Sequence, residues 1–168
     1  MKITICGHRK AAELLAKSPG QLDIIFISGP GPEKFGVKTS ETIAGNAREI
    51  CEVLFHDINA PRPGYEHPER HHVQKALDFA KGKDELIVSC QMGVSRSSAT
   101  AYIIAAAAVG PDEAFKFLDT KIHSPNGMVI RHGADILGDP DIVSKMNTWK
   151  YQADEEQLDA AWPPLISD

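Results

Sequence analysis

Between residues 85 and 97 the chain reads Glu85-Leu86-Ile87-Val88-Ser89-Cys90-Gln91-Met92-Gly93-Val94-Ser95-Arg96-Ser97, and three kinds of backbone meet there. Glu85 to Ser89 reads as a strand, with Leu86, Ile87 and Val88 apolar in succession as in a strand buried on both faces. Ser97 to Val109 is apolar nearly all round, which reads as a buried central helix. The tight loop between them contains Gly93, which lets the backbone curl without a Cβ penalty. A strand delivered through a short loop into a helix is half of a βαβ unit, and so belongs in a parallel sheet.

The same loop carries chemistry. At the start of a helix the backbone N–H groups lack partners and the positive end of the dipole points outward, so an anion such as phosphate is favoured there. Arg96 offers a planar two-pronged donor to two phosphate oxygens. The positive field favours the Cys90 thiolate, a nucleophile placed beneath a bound phosphorus. The loop amides of Gln91, Met92, Gly93, Val94 and Ser95, with Arg96, then stabilise charge on the transferring oxygens. The Ser97 hydroxyl is placed to hydrogen-bond the sulfur and ease its departure.

Upstream, strand and helix patterns alternate. Lys2 to Cys6 is a short β-branched run, followed by Ala11, Ala12, Leu14 and Leu15 at helical spacing up to Pro19-Gly20. Asp23 to Ser28 is a second buried strand, closed by Gly29-Pro30-Gly31-Pro32. Ser40 reads as the N-cap of a helix with Ile43, Ala47 and Ile50 on one face. Cys51 to Phe55 is a third strand, running into His56-Asp57 and the loop Ala60-Pro61-Arg62-Pro63-Gly64. Pro68 suits the first turn of a helix bearing Val73, Ala76, Leu77 and Ala80, stopped at Gly82. Downstream, Gly110-Pro111-Asp112 starts a helix with Ala114, Phe115 and Leu118 inward. Another runs from about Met128 to Leu137, and Asp139-Pro140 opens a last one. The expected fold is α/β: three layers, α/β/α, around a mainly parallel four-stranded sheet. Residues 1–150 are expected to form one domain, with 151–168 as an acidic, loosely ordered tail.

In such sheets ligands bind beyond the carboxyl ends of the strands. The segments leaving those ends with reactive side chains are His56-Asp57 and Cys90 onward. Asp57 is the candidate general acid, protonating the leaving oxygen and then activating water. Asp84 precedes a strand and lies at the wrong end of the sheet.

Cys90, five residues, then Arg96 and Ser97 resembles the active-site loop of the cysteine-based protein tyrosine phosphatase superfamily, its dual-specificity-like branch above all. The stretch His56-Asp57-Ile58-Asn59-Ala60-Pro61-Arg62-Pro63 is similar to that of small bacterial tyrosine-phosphatase-like proteins, as are Leu77-Asp78-Phe79-Ala80 and Ser124-Pro125-Asn126. The resemblance spans roughly residues 51 to 138. It implies a phosphotyrosine phosphatase-like fold and a phosphomonoester hydrolase acting through a cysteinyl-phosphate intermediate, with Asp57 where that branch carries its acid. The chain departs from the pattern at Ser89, where most members have His. Cys-x5-Arg alone is a weak pattern; the strand before it, Gly93 within it, Ser97 after it and the apolar helix beyond make it specific.

Composition is ordinary for a soluble globular protein: 168 residues, 42 % hydrophobic and 24 % charged. Eighteen basic residues against 23 acidic ones leave a formal charge of −5, which speaks against broad contact with nucleic acid or an anionic membrane. The first residues are too short an apolar run for a signal peptide, and Ala99 to Val109 is too short to span a bilayer. Cys6, Cys51 and Cys90 cannot all pair and match no zinc spacing, so a reducing cytoplasm is expected.

Other residues carry weaker expectations. His67, His71 and His72 put two imidazoles at i and i+4, but lack a carboxylate or cysteine partner for a metal. Thiol phosphatase chemistry needs no metal or cofactor. Cys6 and Cys51 are expected in the core, and a protective disulfide with Cys90 is the alternative. Arg62 and Arg70 lie near the acid loop. Asn126 and Arg131 either support the Cys90 loop from behind or cap and decorate the surface; Trp149 and Trp162 are expected to dock the C-terminal segment. The expected partner is a phosphorylated protein, phosphotyrosine first, or a small phosphomonoester. Three competitors stand beside this: a catalytically silent phosphate-binding module, an arsenate reductase and a sulfurtransferase-type thiol enzyme. A purely binding module needs no thiol, and thiol-cascade arsenate reduction wants resolving cysteines close to Cys90.

Overall fold

A computed structural model describes residues 1–31 and 37–161. Four strands, β1 (Lys2–Gly7), β2 (Asp23–Ser28), β3 (Ile50–Leu54) and β4 (Glu85–Cys90), form one sheet in the order β1-β4-β2-β3. Every pairing is parallel. Burial follows that order. β2 is buried at all six positions and β4 at five, as central strands covered on both faces must be. β3 alternates exposed and buried, as an edge strand does.

Among the described residues seven helices cover the sheet: α1 (His8–Lys17), α2 (Val37–Asn46), α3 (Arg70–Ala80), α4 (Arg96–Val109), α5 (Pro111–Ala114), α6 (Gly127–Leu137) and α7 (Asp141–Ala161). Alternation along the strands sorts the core into two layers. Ile24, Phe26 and Ile87 meet Ala11, Ala12 and Leu15 of α1 and Ile43 of α2. Ile25, Ile27, Leu86, Val88 and Cys90 face α3, α4 and α6. α4 is buried from Arg96 to Ala106, the all-round burial that its composition predicts.

Local starts and stops differ from the sequence reading in three places. α2 begins at Val37, with Ser40 inside it, and it ends at Asn46. Ile50 is not on its face; it opens β3 and is 39 % exposed. The chain is drawn into the sheet there because Arg48 grips the buried Asp23 carboxylate with Nε (2.9 Å) and Nη2 (2.5 Å), while its backbone N–H donates to Leu22. Pro68 lies outside α3, which starts after Glu69; the Glu69 backbone N–H donates to His72 Nδ1 at 3.1 Å, a cap that Pro68 cannot supply. The last helix continues past residue 150 to Ala161, and Trp149 stacks on Phe115 with ring centroids 6.0 Å apart. Pro32, Trp162 and the Pro163-Pro164 turn lie outside the described residues. Among the described residues no helix is long and apolar enough to cross a membrane.

Candidate functional site

Cys90 ends β4 and is 2 % exposed, with its Sγ 3.1 Å from the Ser97 hydroxyl in the first turn of α4. From Cys90 the chain curls back over the end of β1. Gly93 has φ +79, and a Cβ there would lie 2.5 Å from the Cys6 carbonyl carbon and 2.6 Å from the Gly7 nitrogen. A Cβ on Gly7 would in turn stand 3.2 Å from the Gln91 oxygen. Two glycines therefore face each other, and the β1 backbone is the floor of the loop. Gln91 and Met92 are left exposed.

The far side of the loop is held by its carbonyls. The Ser98 hydroxyl reaches the Val94 oxygen (2.5 Å) and the Ser95 oxygen (3.0 Å). Backbone N–H groups of Ser124 and Asn126 donate to Val94 and Ser95 at 3.0 and 3.3 Å. Among the described residues, the N–H groups of residues 91 to 95 donate to no protein acceptor. The loop thus spends its acceptors on the protein and keeps its donors.

Arg96 is 5 % exposed. Its Nη1 donates to the Phe55 carbonyl at 3.0 Å, but its buried Nε has no hydrogen-bond partner. Asp57, two residues beyond Phe55, brings Oδ2 to 4.0 Å from that Nε. Asp57 Oδ1 accepts from the Ser95 hydroxyl at 2.8 Å and from Asn126 Nδ2 at 3.0 Å. Asn126, fully buried, also donates to the Ile58 carbonyl (3.0 Å), while its Oδ1 caps α6 by accepting from Met128 and Val129. Asn59 adds another tie, its Oδ1 accepting from the Gly127 N–H at 2.8 Å. These bonds sew residues 57–59 to the start of α6.

Four residues from three segments are thereby gathered: Asp57 after β3, Cys90 at the end of β4, and Arg96 and Ser97 on α4. Both roles considered for Asn126 are present together, since it caps α6 and steadies Asp57 and the loop. Arg131 is exposed on α6, and Arg62 lies over the Tyr65 ring at 4.9 Å. Asp84 sits at the opposite end of β4 from Cys90, its carbonyl accepting from the Lys2 N–H. The site also depends on residues the sequence reading passed over: Gly7, Phe55 through its carbonyl, Asn59 and Ser98. Gly7 carried a signal, a glycine at the end of a strand; the other three carried none.

The remaining histidines and cysteines have structural surroundings. His72 packs on Phe55, and burial foremost pushes its imidazole down to about 4. His71 pairs with Glu69 at 3.3 Å. His8 is buried at the start of α1, stacked on Phe26 with Nε2 3.1 Å from the Ile27 oxygen, and burial foremost pushes it down to about 4. Cys6 pairs with Ser89 in the β1–β4 register and lies on the α1 face, whereas Cys90 points toward α4. Burial first, and then the neighbouring Cys90, pushes the Cys6 thiol up to about 11. Cys51 lies on β3, two strands from Cys90, and its thiol reaches the Lys75 carbonyl at 3.9 Å. An apolar cavity of about 440 Å³, lined by Leu77, Ile104 and Leu137, opens at the other end of the sheet beside Met1 and Lys83.

No family model matches the chain, and no curated protein matches it. Solved structures do. Tk-PTP in its active form superposes with a TM-score of 0.50 at 11 % identity, over 86 % of this chain and 92 % of that one. Human DUSP28 gives 0.48 at 18 % identity over 92 % and 94 %. PTPMT1 in complex with PI(5)P gives 0.48 at 13 % identity over 93 % and 94 %. The chain shares its fold with Tk-PTP.

Proposed function

We propose that the chain hydrolyses phosphomonoesters through a cysteinyl-phosphate intermediate, as a tyrosine or dual-specificity phosphatase does. The observation that carries this reading is a set of idle donors around one sulfur. The Nε of Arg96 is buried without a hydrogen-bond partner, and the N–H groups of residues 91 to 95 donate to no protein acceptor among the described residues. A buried donor is almost always satisfied, so the unbonded Arg96 Nε beside a run of free loop N–H groups at a helix N-terminus suits an anion.

With a phosphate dianion in that loop, Cys90 Sγ attacks phosphorus and the bond to the leaving oxygen breaks. Asp57 donates the proton that oxygen needs. Asp57 then takes a proton from the attacking water; the S–P bond breaks and inorganic phosphate departs. The Ser97 hydroxyl, 3.1 Å from Sγ, stabilises the thiolate as it leaves. Arg96 and the loop amides hold the three equatorial oxygens throughout. The substrate is a phosphorylated protein, phosphotyrosine first, or a small phosphomonoester. A reducing compartment such as the cytoplasm suits a chemistry that needs Cys90 as a free thiol, and all three cysteines are free.

Purified protein should hydrolyse an aryl phosphate in the presence of a chelator. Cys90→Ser should abolish turnover while retaining binding of orthophosphate or vanadate. Asp57→Ala should slow it by roughly 100-fold or more, the range of a lost general acid. Turnover that survives Cys90→Ser sinks the mechanism; phosphate binding with no turnover in the wild type leaves only a binding module.

A further inference from the structure

A cavity of about 470 Å³ lies beside the Cys90 loop, and the reaction outlined above makes no use of it. Gln91 and Met92 form one wall, so the cavity and the loop are contiguous. Arg9, Lys10 and Thr39 contribute to the others. Its volume suits a small-molecule moiety and exceeds what a single phosphate needs.

The charges around it are placed against the ordinary preferences of a helix. The first turn of α1 has no acidic residue, and its N-cap, Gly7, has no side chain to offer. Arg9 and Lys10 instead bring two cations to the positive end of the dipole, where cations are disfavoured. On a chain with a net charge of −5 this concentration of positive charge is local, and folding gains nothing from it. Arg9 has no ion pair or hydrogen bond among the described residues, while Lys10 makes one long exposed contact, 3.4 Å to Glu13 Oε2. His8, buried and with its imidazole pushed down to about 4, adds no charge at neutral pH. An anion in the cavity would offset both cations at once.

We propose that the cavity receives a second anionic group of the substrate, so that preferred substrates carry another phosphate or carboxylate close to the scissile phosphate. This rests on the Cys90 loop being the reaction centre. The span is short. Gly7 and Cys90 are register partners on strands about 5 Å apart, and Arg9 follows Gly7 by two residues. A neighbouring acidic side chain of a phosphopeptide or the second phosphate of a small bisphosphate has the right reach.

The test measures binding to Cys90→Ser protein by calorimetry, with two matched pairs of probes. One pair is fructose 1,6-bisphosphate against fructose 6-phosphate. The other is a phosphotyrosine peptide flanked by Glu against the same peptide flanked by Ala. At least one pair should show a preference of about tenfold or more for the doubly anionic member, the scale of one charge-assisted contact, and the pair that does identifies the source. Adding Arg9→Ala and Lys10→Ala should collapse that preference to within about twofold, while Lys17→Ala, which removes a cation from the far end of α1, should keep it. No preference in either pair, or one that survives the loss of Arg9 and Lys10, overturns the proposal. Turnover of aryl phosphate by wild type, measured alongside, separates the two readings. Hydrolysis without preference removes the second-anion site alone, and preference without hydrolysis removes the phosphatase alone.

Discussion

Asn126→Asp exchanges one atom, and the structure fixes what that atom does. Asn126 is fully buried; its Oδ1 caps α6 and its Nδ2 donates to Asp57 Oδ1 and the Ile58 oxygen, each at 3.0 Å. Asp serves as well as Asn at an N-cap, so the α6 side of the residue is preserved. The other side inverts, because an oxygen now faces two oxygens. Two ionised carboxylates about 3 Å apart repel by about 5 kcal/mol at an effective dielectric of 20. Taking up one proton relieves this and restores a donor. From a reference near 3.9, that proton costs about 1.5 kcal/mol at pH 5 and about 4 kcal/mol at pH 7. The pair therefore titrates above the unfolded carboxyl value. The penalty is small below about pH 4, grows as pH rises, and levels off once both groups are ionised. Thermal melts followed by circular dichroism should show the gap between wild type and variant widening from pH 5 to pH 7 by about 2.5 kcal/mol, or about 5–10 °C in Tm for a chain of this size. Asn126→Ala, which introduces no charge, should show an offset that does not vary with pH. Parallel curves for wild type and Asn126→Asp would refute the pairing of Asn126 with Asp57.

Gly93→Ala places a Cβ within 2.6 Å of the β1 backbone at φ +79, so strain and overpacking together should cost about 2–5 kcal/mol. The urea midpoint should fall and aryl phosphate turnover with it; an unchanged midpoint would mean the loop does not rest on β1. Hydrogen bonding from Arg48 foremost, and then Lys83, holds the Asp23 carboxyl below its usual range, so its contribution to stability is present above about pH 4 and is lost as pH falls through the lowered value. Asp23→Asn should accordingly melt lower than wild type at pH 7, with the gap shrinking as pH falls through the lowered value, whereas a constant gap would show that the ion pairs contribute nothing. Peroxide should oxidise Cys90 without forming an intramolecular disulfide. Cys6 points to the opposite face of the sheet and Cys51 is two strands away, about 10 Å, beyond the separation a disulfide spans. A 2 Da mass loss under non-reducing conditions would contradict that register.

The sheet and the loop were legible because their signals are local. β2 and β4 are solid apolar runs because they are the two central strands, and a tight glycine turn between a strand and an apolar helix has few other uses. Cys90, Arg96 and Ser97 therefore stand out within eight residues of sequence. What escaped reading is non-local. Asn126 donates to a carboxylate 69 positions earlier, and Arg48 leaves the helical pattern for a carboxylate 25 positions earlier. Composition does not reveal that α2 ends at Asn46, because the pull toward β2 comes from a partner on another element. The side-chain ties of residues 57–59 are equally non-local, reaching Ser95 just before α4 and Asn126 and Gly127 at the start of α6.

Ser89 shows how the loop can be ordered without the histidine that its resemblance leads one to expect. The side chain at position 89 shares the face of Cys6 and Phe26, opposite that of Cys90, so whatever stands there acts on the sulfur only through the backbone. Ser89 is fully buried and its hydroxyl finds no hydrogen-bond partner, so it does not hold the loop. Ser98 and the backbone N–H groups of Ser124 and Asn126 do so instead, by binding the Val94 and Ser95 carbonyls. With those carbonyls turned toward α4 and α6, the loop's N–H groups have no protein acceptor among the described residues. Order in this loop thus comes from the α4 and α6 side of the sheet, and Ser98→Ala should loosen the loop more than Ser89→Ala does. Orthophosphate affinity measured on the two variants decides it, and an equal loss in both would return the ordering role to position 89.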